Sequence, residues 1–306
     1  MSGALHQFEE LPWPDIEERV RRCDIVVLPL ASLAPWPGSL PVGCDAFIVE
    51  GLVQRGAARI AEEVGALVLP ALEFSTPAEP NLLPEAMHLP WDVLLDFTVS
   101  LLQDLHRQGF RRFVFVNAQG KTGSIPARAK PTEEEGGPRM AGEGFSYQTA
   151  FGFAYDAAAH FVENGPDVEF FFVSIASFFR NVAEIADLPW WEASGEGDLP
   201  MPVRWALLHA LRSDLVAAQP PEPLSRALVP PYPFLADPRY GVGTILRHTR
   251  FQAAADAPDW EAISAEQTET LIEIWSEKFA AVLREMQAKA AWVGRYRPDA
   301  YRSGQP

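Results

Sequence analysis

The sequence predicts an α/β protein with a three-layer α/β/α arrangement, in which helices cover both faces of a mainly parallel central sheet. Short apolar segments that suit buried strands alternate with longer segments of helical periodicity. The clearest strand is Ile25 to Leu30, a continuous apolar run of the kind found in strands covered on both faces. A proline- and glycine-rich loop follows this strand and leads to Asp45. Because α/β proteins bind ligands at the carboxyl ends of parallel strands, we expect the floor of any site here.

The other predicted elements continue this alternation along the chain. Further strands are predicted at Ala66 to Leu69, Arg112 to Asn117 and Val168 to Ile175. Helices are predicted at Ala46 to Val64, Trp91 to Gln108, Ser146 to Glu163 and Ser264 to Ala290. The resulting β-α-β-α-β-α-β order predicts right-handed crossovers between parallel strands.

Two of these helices carry specific boundary signals. Gly109 follows the apolar stripe of the helix from Trp91 to Gln108 and is placed to end it. Ser264 and Gln267 have the spacing of a capping box at the start of the last helix. These local signals predict the helix boundaries independently of the hydrophobic pattern.

The chain is predicted to form a single domain over residues 1–306, with an insertion at about 188–240. This segment interrupts the alternation of strands and helices and contains Trp190, Trp191 and many prolines. A helix is predicted within it near Val203 to Ala218. We interpret the segment as a cover for the core, or as a surface that meets a neighbouring subunit.

Composition and charge exclude several classes of partner. The 25 Lys and Arg residues face 41 Asp and Glu residues, so the formal net charge is −16, which opposes binding to nucleic acid. No basic helix suits an anionic membrane surface, and no apolar run approaches the ~20 residues needed to span a bilayer. The amino terminus lacks a signal-peptide pattern, so we expect a cytoplasmic protein. The two cysteines, Cys23 and Cys44, do not suggest a disulfide framework, and Cys44 is predicted to be a small packing residue rather than part of a site.

The common catalytic motifs are missing from the sequence. The segment Gly120-Lys121-Thr122 follows a strand, but Phe115 stands where a phosphate-binding loop needs its first glycine. There is no G-x-G-x-x-G dinucleotide fingerprint, no G-x-S-x-G nucleophile elbow and no H-E-x-x-H zinc motif. The six histidines are scattered along the chain.

The stretch from Asp24 to Asp45 resembles the signature of the creatininase superfamily. The matching residues of that signature are Pro29, Ser32, Gly38, Leu40, Pro41, Gly43 and Asp45. Two later segments also resemble family motifs, GFRRFVFVNAQG at Gly109 to Gly120 and MAGEGFSY at Met140 to Tyr147. The resemblance implies a creatininase-like α/β/α fold.

The family hydrolyses small cyclic substrates with two metal ions, which activate a water molecule and polarise the scissile carbonyl. The resemblance implies that nearly all of the metal ligands are replaced in this chain. The replacing residues are Ala34, Trp36, Ser39, Gln119, Lys121, Met140 and Phe145. Only the bridging aspartate remains, as Asp45. We therefore predict a degenerate, metal-free site and no cofactor.

Lys121 places a positive charge where a metal ligand would have been. One hypothesis is that its ammonium group stands in for the lost metal charge and pairs with Asp45. The alternative is that Lys121 is exposed and that Asp45 only caps a helix beginning at Ala46.

Two functions from different classes remain open. In the first, the protein is a hydrolase of altered mechanism, with Asp45 or Glu143 as general base. Lys121 would then act as an electrostatic clamp or as an amine nucleophile toward a ketone. In the second, the protein is a pseudoenzyme that serves as a binding or structural subunit.

The predicted substrate-binding residues are Trp36, Asn117 and Gln119. Asn117 and Gln119 could polarise a carbonyl group, and Trp36 would supply a flat wall for a ring-shaped ligand. The resemblance implies a small polar cyclic compound that is opened by C–N or C–C hydrolysis. It also implies a ring-shaped homo-oligomer.

Overall fold

The computed structural model describes residues 6–34, 40–75, 87, 89–117, 151–163, 167–180, 199, 201–216 and 263–289. The strands are β1 (Ile25–Leu30), β2 (Leu67–Val68), β3 (Arg112–Asn117) and β4 (Glu169–Ser174). The helices are α1 (Trp13–Arg22), α2 (Cys44–Ala58), α3 (Trp91–Gln108), α4 (Gly152–Glu163), α5 (Ile175–Arg180), α6 (Met201–Leu211) and α7 (Ala265–Ala288). Short 3-10 turns lie at Phe8–Glu10 and Ser213–Leu215.

The four strands form one parallel sheet in the order β2-β1-β3-β4, which confirms the predicted parallel sheet. All six residues of β1 and all six of β3 are buried, as expected for strands at the centre of a sheet covered on both faces. The β2 strand is shorter than predicted because Pro70 follows it closely and lacks a backbone donor for further pairing.

Two hydrophobic layers enclose the sheet and confirm the α/β/α class. Ile25 and Val27 point to one layer, which they share with buried side chains of α2, α6 and α7. Val26 and Leu28 point to the other layer, which contains buried side chains of α3 and α4. The alternation follows from the two-residue period of a strand.

The second layer is rich in phenylalanine. Phe113 and Phe115 of β3 stack on Phe170 and Phe172 of β4, with ring centroids 5.1 Å apart in each pair. Such parallel aromatic pairs on neighbouring strands contribute to sheet stability beyond the burial of their surface.

The last helix closes the first layer and is anchored at the amino edge of the sheet. Ser264 accepts a hydrogen bond from the Gln267 backbone while the Gln267 side chain accepts one from the Ser264 backbone, which confirms the capping box. Near the other end of α7, the buried Arg112 guanidinium donates to Asp24 at 2.5 Å and to Gln287 at 3.0 Å.

Several predicted boundaries need correction. The α2 helix begins at Cys44 and ends at Ala58, rather than running from Ala46 to Val64. The α1 helix is missing from the prediction, although Trp13, Ile16 and Val20 recur at helical spacing and Ile16 is buried. Ser146, the predicted start of the helix that ends at Glu163, lies outside the described residues.

The segment predicted as an insertion contains α6. This helix ends at Leu211, earlier than the predicted Ala218, and a 3-10 turn follows. Its residues Val203 and Leu207 are fully buried against α2 and α7, so α6 is part of the core. The single-domain interpretation over 1–306 stays a prediction. Among the described residues, no helix has the length and apolar character of a bilayer-spanning segment.

We expect Gly109→Ala to destabilise the protein more than Gly65→Ala. Both glycines have positive φ, +112° and +74°, so alanine at either is strained by about 1 kcal/mol or more. A Cβ at Gly109 would also lie 2.7 Å from Val20 Cγ1, whereas at Gly65 the nearest atom is 3.9 Å away. Urea denaturation should give losses of about 2–3 kcal/mol for Gly109→Ala. Equal losses at the two positions would contradict the proposed contact with Val20.

The half-buried carboxylate of Glu50 makes stability depend on pH. Burial is the largest effect and raises the pKa of Glu50, and the negative charge of nearby Glu73 also raises it. The hydrogen bond that the Ala71 N–H donates to the carboxylate acts in the opposite direction and lowers the pKa. Because the folded state binds this proton more tightly than the unfolded state, the stabilisation is complete below about pH 4. It is lost as the pH rises through the native pKa. We therefore expect Glu50→Gln to raise the melting temperature at pH 7, with a smaller difference at pH 4. A constant difference across this range would contradict the assignment.

Candidate active site at the carboxyl edge of the sheet

Three neighbouring strands end together at the edge where the site was predicted. Leu30 of β1 lies beside Asn117 of β3, and Asn117 lies beside Ser174 of β4. Asn117 and Ser174 are 5% and 3% exposed. The register therefore brings two buried polar side chains to one end of the central strands.

Asn117 has an unused acceptor. Its side-chain Oδ1 is buried and has no hydrogen-bond partner among the described residues. An amide oxygen removed from water without a partner costs about 1–3 kcal/mol. This cost makes Asn117 a favourable acceptor for an N–H or O–H group that reaches the edge.

The loop after β1 is held by backbone hydrogen bonds where it is described. The N–H of Ala31 donates to Leu72 at 2.9 Å, and the N–H of Ala34 donates to Val42 at 3.0 Å. These bonds fix the approach to α2, in which Asp45 is the second residue. Ala34 is itself buried and offers only a methyl group.

Asp45 forms a buried ion pair with Arg204 of α6. Both side chains are 0% exposed, and the Arg204 Nη1 donates to Asp45 Oδ1. The Arg204 Nε also donates to the Leu199 carbonyl at 3.1 Å. Burial lowers the pKa of Arg204 to about 10, so the guanidinium remains charged at neutral pH. The pair joins α6 to the first turn of α2.

Cys44 precedes Asp45 and is buried, as predicted for a packing residue. Burial raises the pKa of its thiol to about 11, while the charge of Arg204 acts in the opposite direction. The thiol is therefore protonated at neutral pH and lacks the reactivity of a thiolate.

The described residues include two of the six predicted site residues. Asp45 and Asn117 both lie toward the carboxyl edge, in the first turn of α2 and at the end of β3. Trp36, Gln119, Lys121 and Glu143 lie outside the described residues, so their roles stay predictions.

The structure changes the interpretation of Asp45. The helix-cap alternative is wrong, because α2 begins at Cys44 and its N-cap is Gly43, with no side-chain cap hydrogen bond. A described partner of Asp45 is Arg204, which the sequence analysis missed. A pairing with Lys121 stays a prediction. The available signal was an arginine within the mostly apolar helix MPVRWALLHAL, because a buried charge requires a partner.

A dinuclear metal centre does not fit the residues that are described at this edge. Metal ions of the kind used by hydrolases need several carboxylate or imidazole ligands. Among the described residues, no group of three or more His, Cys, Asp or Glu side chains is placed to hold an ion. The Asp45 carboxylate is instead held by a guanidinium group.

These features define a class of protein. The chain is a three-layer α/β/α protein with buried polar side chains at the carboxyl ends of its parallel strands, which is where many α/β proteins bind small molecules. The family model described as "Creatininase: Creatinine amidohydrolase" matches residues 9–168, which is more than half of the chain. The chain therefore belongs to the creatininase family.

Two characterised relatives match part of the sequence. One is the 3-dehydro-scyllo-inosose hydrolase of Thermotoga maritima, 25% identical over 120 residues. The other is the creatinine amidohydrolase of Pseudomonas putida, 27% identical over 114 residues. The first alignment covers 39% of this chain and 37% of the relative, and the second covers 35% and 42%. The chain thus spans about two fifths of the length of these relatives.

Solved creatininase structures share the fold over most of the chain. A creatininase with one tryptophan changed to phenylalanine has a TM-score of 0.60 at 21% identity, covering 92% of this chain and 98% of that one. A creatinine amidohydrolase crystal structure has a TM-score of 0.55 at 21% identity, covering 92% and 97%. These likenesses confirm the creatininase-like fold.

Proposed function

We propose that the chain binds a small polar cyclic compound at the carboxyl edge of its sheet and opens the ring by C–N or C–C hydrolysis, without a dinuclear metal centre. The buried, unpartnered Oδ1 of Asn117 is the observation that carries this proposal. A ligand that donates an N–H or O–H to Oδ1 would remove the cost of the unsatisfied acceptor.

The two relatives support the choice of a cyclic ligand. Their names identify a creatinine amidohydrolase and a 3-dehydro-scyllo-inosose hydrolase. Creatinine presents N–H groups, and an inosose presents ring hydroxyl groups, so either could donate to Asn117. The Oδ1 acceptor of Asn117 could bind either compound and does not discriminate between them.

The proposed hydrolysis uses water as the nucleophile. The water oxygen forms a bond to the ring carbonyl carbon, the ring C–N or C–C bond breaks, and the departing atom takes up a proton. Glu143 is the proposed general base, and Lys121 would stabilise the charge that develops on the carbonyl oxygen. Asp45 is a poor base in this arrangement because it is fully buried and bound to Arg204. It holds the first turn of α2 in place instead.

The burial of Asp45 favours a second candidate function. Asp45, the residue that resembles the family's bridging aspartate, forms an ion pair between α2 and α6, and this contact requires no catalysis. The alternative is therefore a catalytically inactive member of the family that binds a ligand or acts as a structural subunit.

Ligand binding can be measured by thermal shift with creatinine, 3-dehydro-scyllo-inosose, a cyclic imide and myo-inositol as probes. A ligand present at 100 times its Kd should stabilise the protein by about 2.7 kcal/mol. We expect Asn117→Leu to abolish the shift. The matched control is Thr98→Val, a buried polar position in α3 whose hydroxyl donates to Leu94 O at 2.7 Å. This control should keep the shift.

The same samples distinguish the two functions by NMR detection of ring-opened product. A shift with turnover supports the hydrolase, and a shift without turnover supports the binding protein. No shift with any probe, or an equal shift in Asn117→Leu, would contradict a ligand site at Asn117.

A further inference from the structure

We propose that the Arg204 guanidinium replaces the divalent-metal charge at the Asp45 carboxylate, so that α6 supplies the cation of this site. This inference rests on the proposed metal-free function and deepens it by naming the group that makes a metal dispensable. Arg204 is here a positioning residue, since it acts through Asp45.

The first support is the complete burial of both charges. Asp45 and Arg204 are each 0% exposed, so water does not screen either group. A buried carboxylate requires a nearby positive charge, which is what a metal ion would provide in a metal-dependent relative. Here a guanidinium provides it by direct hydrogen bonding.

The second support is the rigid position of the guanidinium. Arg204 Nε is bound to the Leu199 carbonyl at 3.1 Å, and its neighbours Val203 and Leu207 on α6 are fully buried. The side chain is therefore held within the core, beside the carboxylate. A divalent cation at Asp45 would meet a fixed positive charge, which opposes its binding.

The third support is the position of Arg204 in the sequence. The family model matches residues 9–168, and α6 begins at Met201, beyond that stretch. The aspartate lies within the matched stretch, while its cationic partner lies outside it. The resemblance places Ala34 where the family has a metal ligand, and an alanine cannot bind a metal ion. This replacement is consistent with a guanidinium, rather than a metal ion, as the partner of Asp45.

The experiment compares metal binding and thermal stability in wild type, Asp45→Asn, Arg204→Ala and Arg204→Lys. Each protein is stripped with a chelator, incubated with zinc or manganese, desalted and measured by elemental analysis and thermal denaturation. We expect wild type to retain no more metal than Asp45→Asn and to show no metal-dependent shift in melting temperature. Arg204→Ala should melt roughly 5–10 °C lower than wild type.

Chemical rescue tests the role of the guanidinium itself. Methylguanidinium at millimolar concentration should recover part of the melting temperature of Arg204→Ala, whereas zinc and manganese should not. Arg204→Lys should melt between wild type and Arg204→Ala, because an ammonium keeps the charge but loses the planar donor geometry. If Arg204→Ala fails to fold, the metal content of wild type and the melting temperature of Arg204→Lys still test the proposal.

Two results would overturn the proposal. One is stoichiometric zinc or manganese in wild type that Asp45→Asn abolishes. The other is an Arg204→Ala protein as stable as wild type. A failed ligand screen at Asn117 alone would remove the proposed function and leave this charge replacement standing.

Discussion

Replacing Arg204 with methionine is expected to lower the free energy of unfolding by about 3–5 kcal/mol. Methionine fills much of the same space, so the loss comes from the Asp45 carboxylate, which would remain buried without the guanidinium. The hydrogen bond to the Leu199 carbonyl is lost as well. Urea denaturation at neutral pH measures the change, with the midpoint and the slope recorded for both proteins.

A matched arginine separates this effect from a general loss of charge. Arg55 pairs with Glu269 at 3.1 Å, but the two side chains are 40% and 54% exposed. Arg55→Met should change the stability by no more than about 1 kcal/mol. Adding Asp45→Leu to Arg204→Met should recover much of the loss, since both charges of this pair are then removed. A small, equal effect of Arg55→Met and Arg204→Met would refute the buried pair.

Trp275→Ala is expected to be as damaging, with a loss of about 3–5 kcal/mol. Trp275 is fully buried in α7 and stacks on Phe279 with ring centroids 4.6 Å apart. Both rings pack against α2 at Gly56, where a Cβ would lie 2.8 Å from Phe279. Removal of the indole leaves a cavity between two helices that cannot close without moving them.

The control for this prediction is Trp13→Ala in α1. Trp13 is 46% exposed and donates to Glu17 at 3.0 Å on the surface of the helix. Its loss should change the stability by only about 0.5 kcal/mol. Equal losses at Trp13 and Trp275 would show that the packing of α7 on α2 contributes little to stability.

Local patterns in the sequence were sufficient to predict much of the fold. The predicted bounds of β1, β3 and α3 agree with the structure at every residue. Each of these elements is a continuous apolar run or an amphipathic repeat with a clear end, such as Gly109, whose φ is +112°. The prediction lacks α1, although Trp13, Ile16 and Val20 recur in it at helical spacing.

The candidate site was only partly predictable. Asp45 and Asn117 could be predicted as site residues from their positions relative to the strands. Asp45 follows a strand and its loop, and Asn117 is the last residue of a strand. Lys121 was proposed as the partner of Asp45 because the resemblance to the family places it where a metal ligand stands. The sequence of α6 indicated a buried Arg204 in need of a partner, but no spacing of residues identified that partner as Asp45.

The sequence by itself determined the class of the protein: a parallel sheet between two helical layers and a creatininase-like signature. Only the tertiary structure decided that Asp45 meets Arg204, 159 residues further along the chain. The physical reason is that periodicity and capping act over a few residues, whereas an ion pair depends on distance in space. That distance is set by the packing of α6 on α2, which no local pattern encodes.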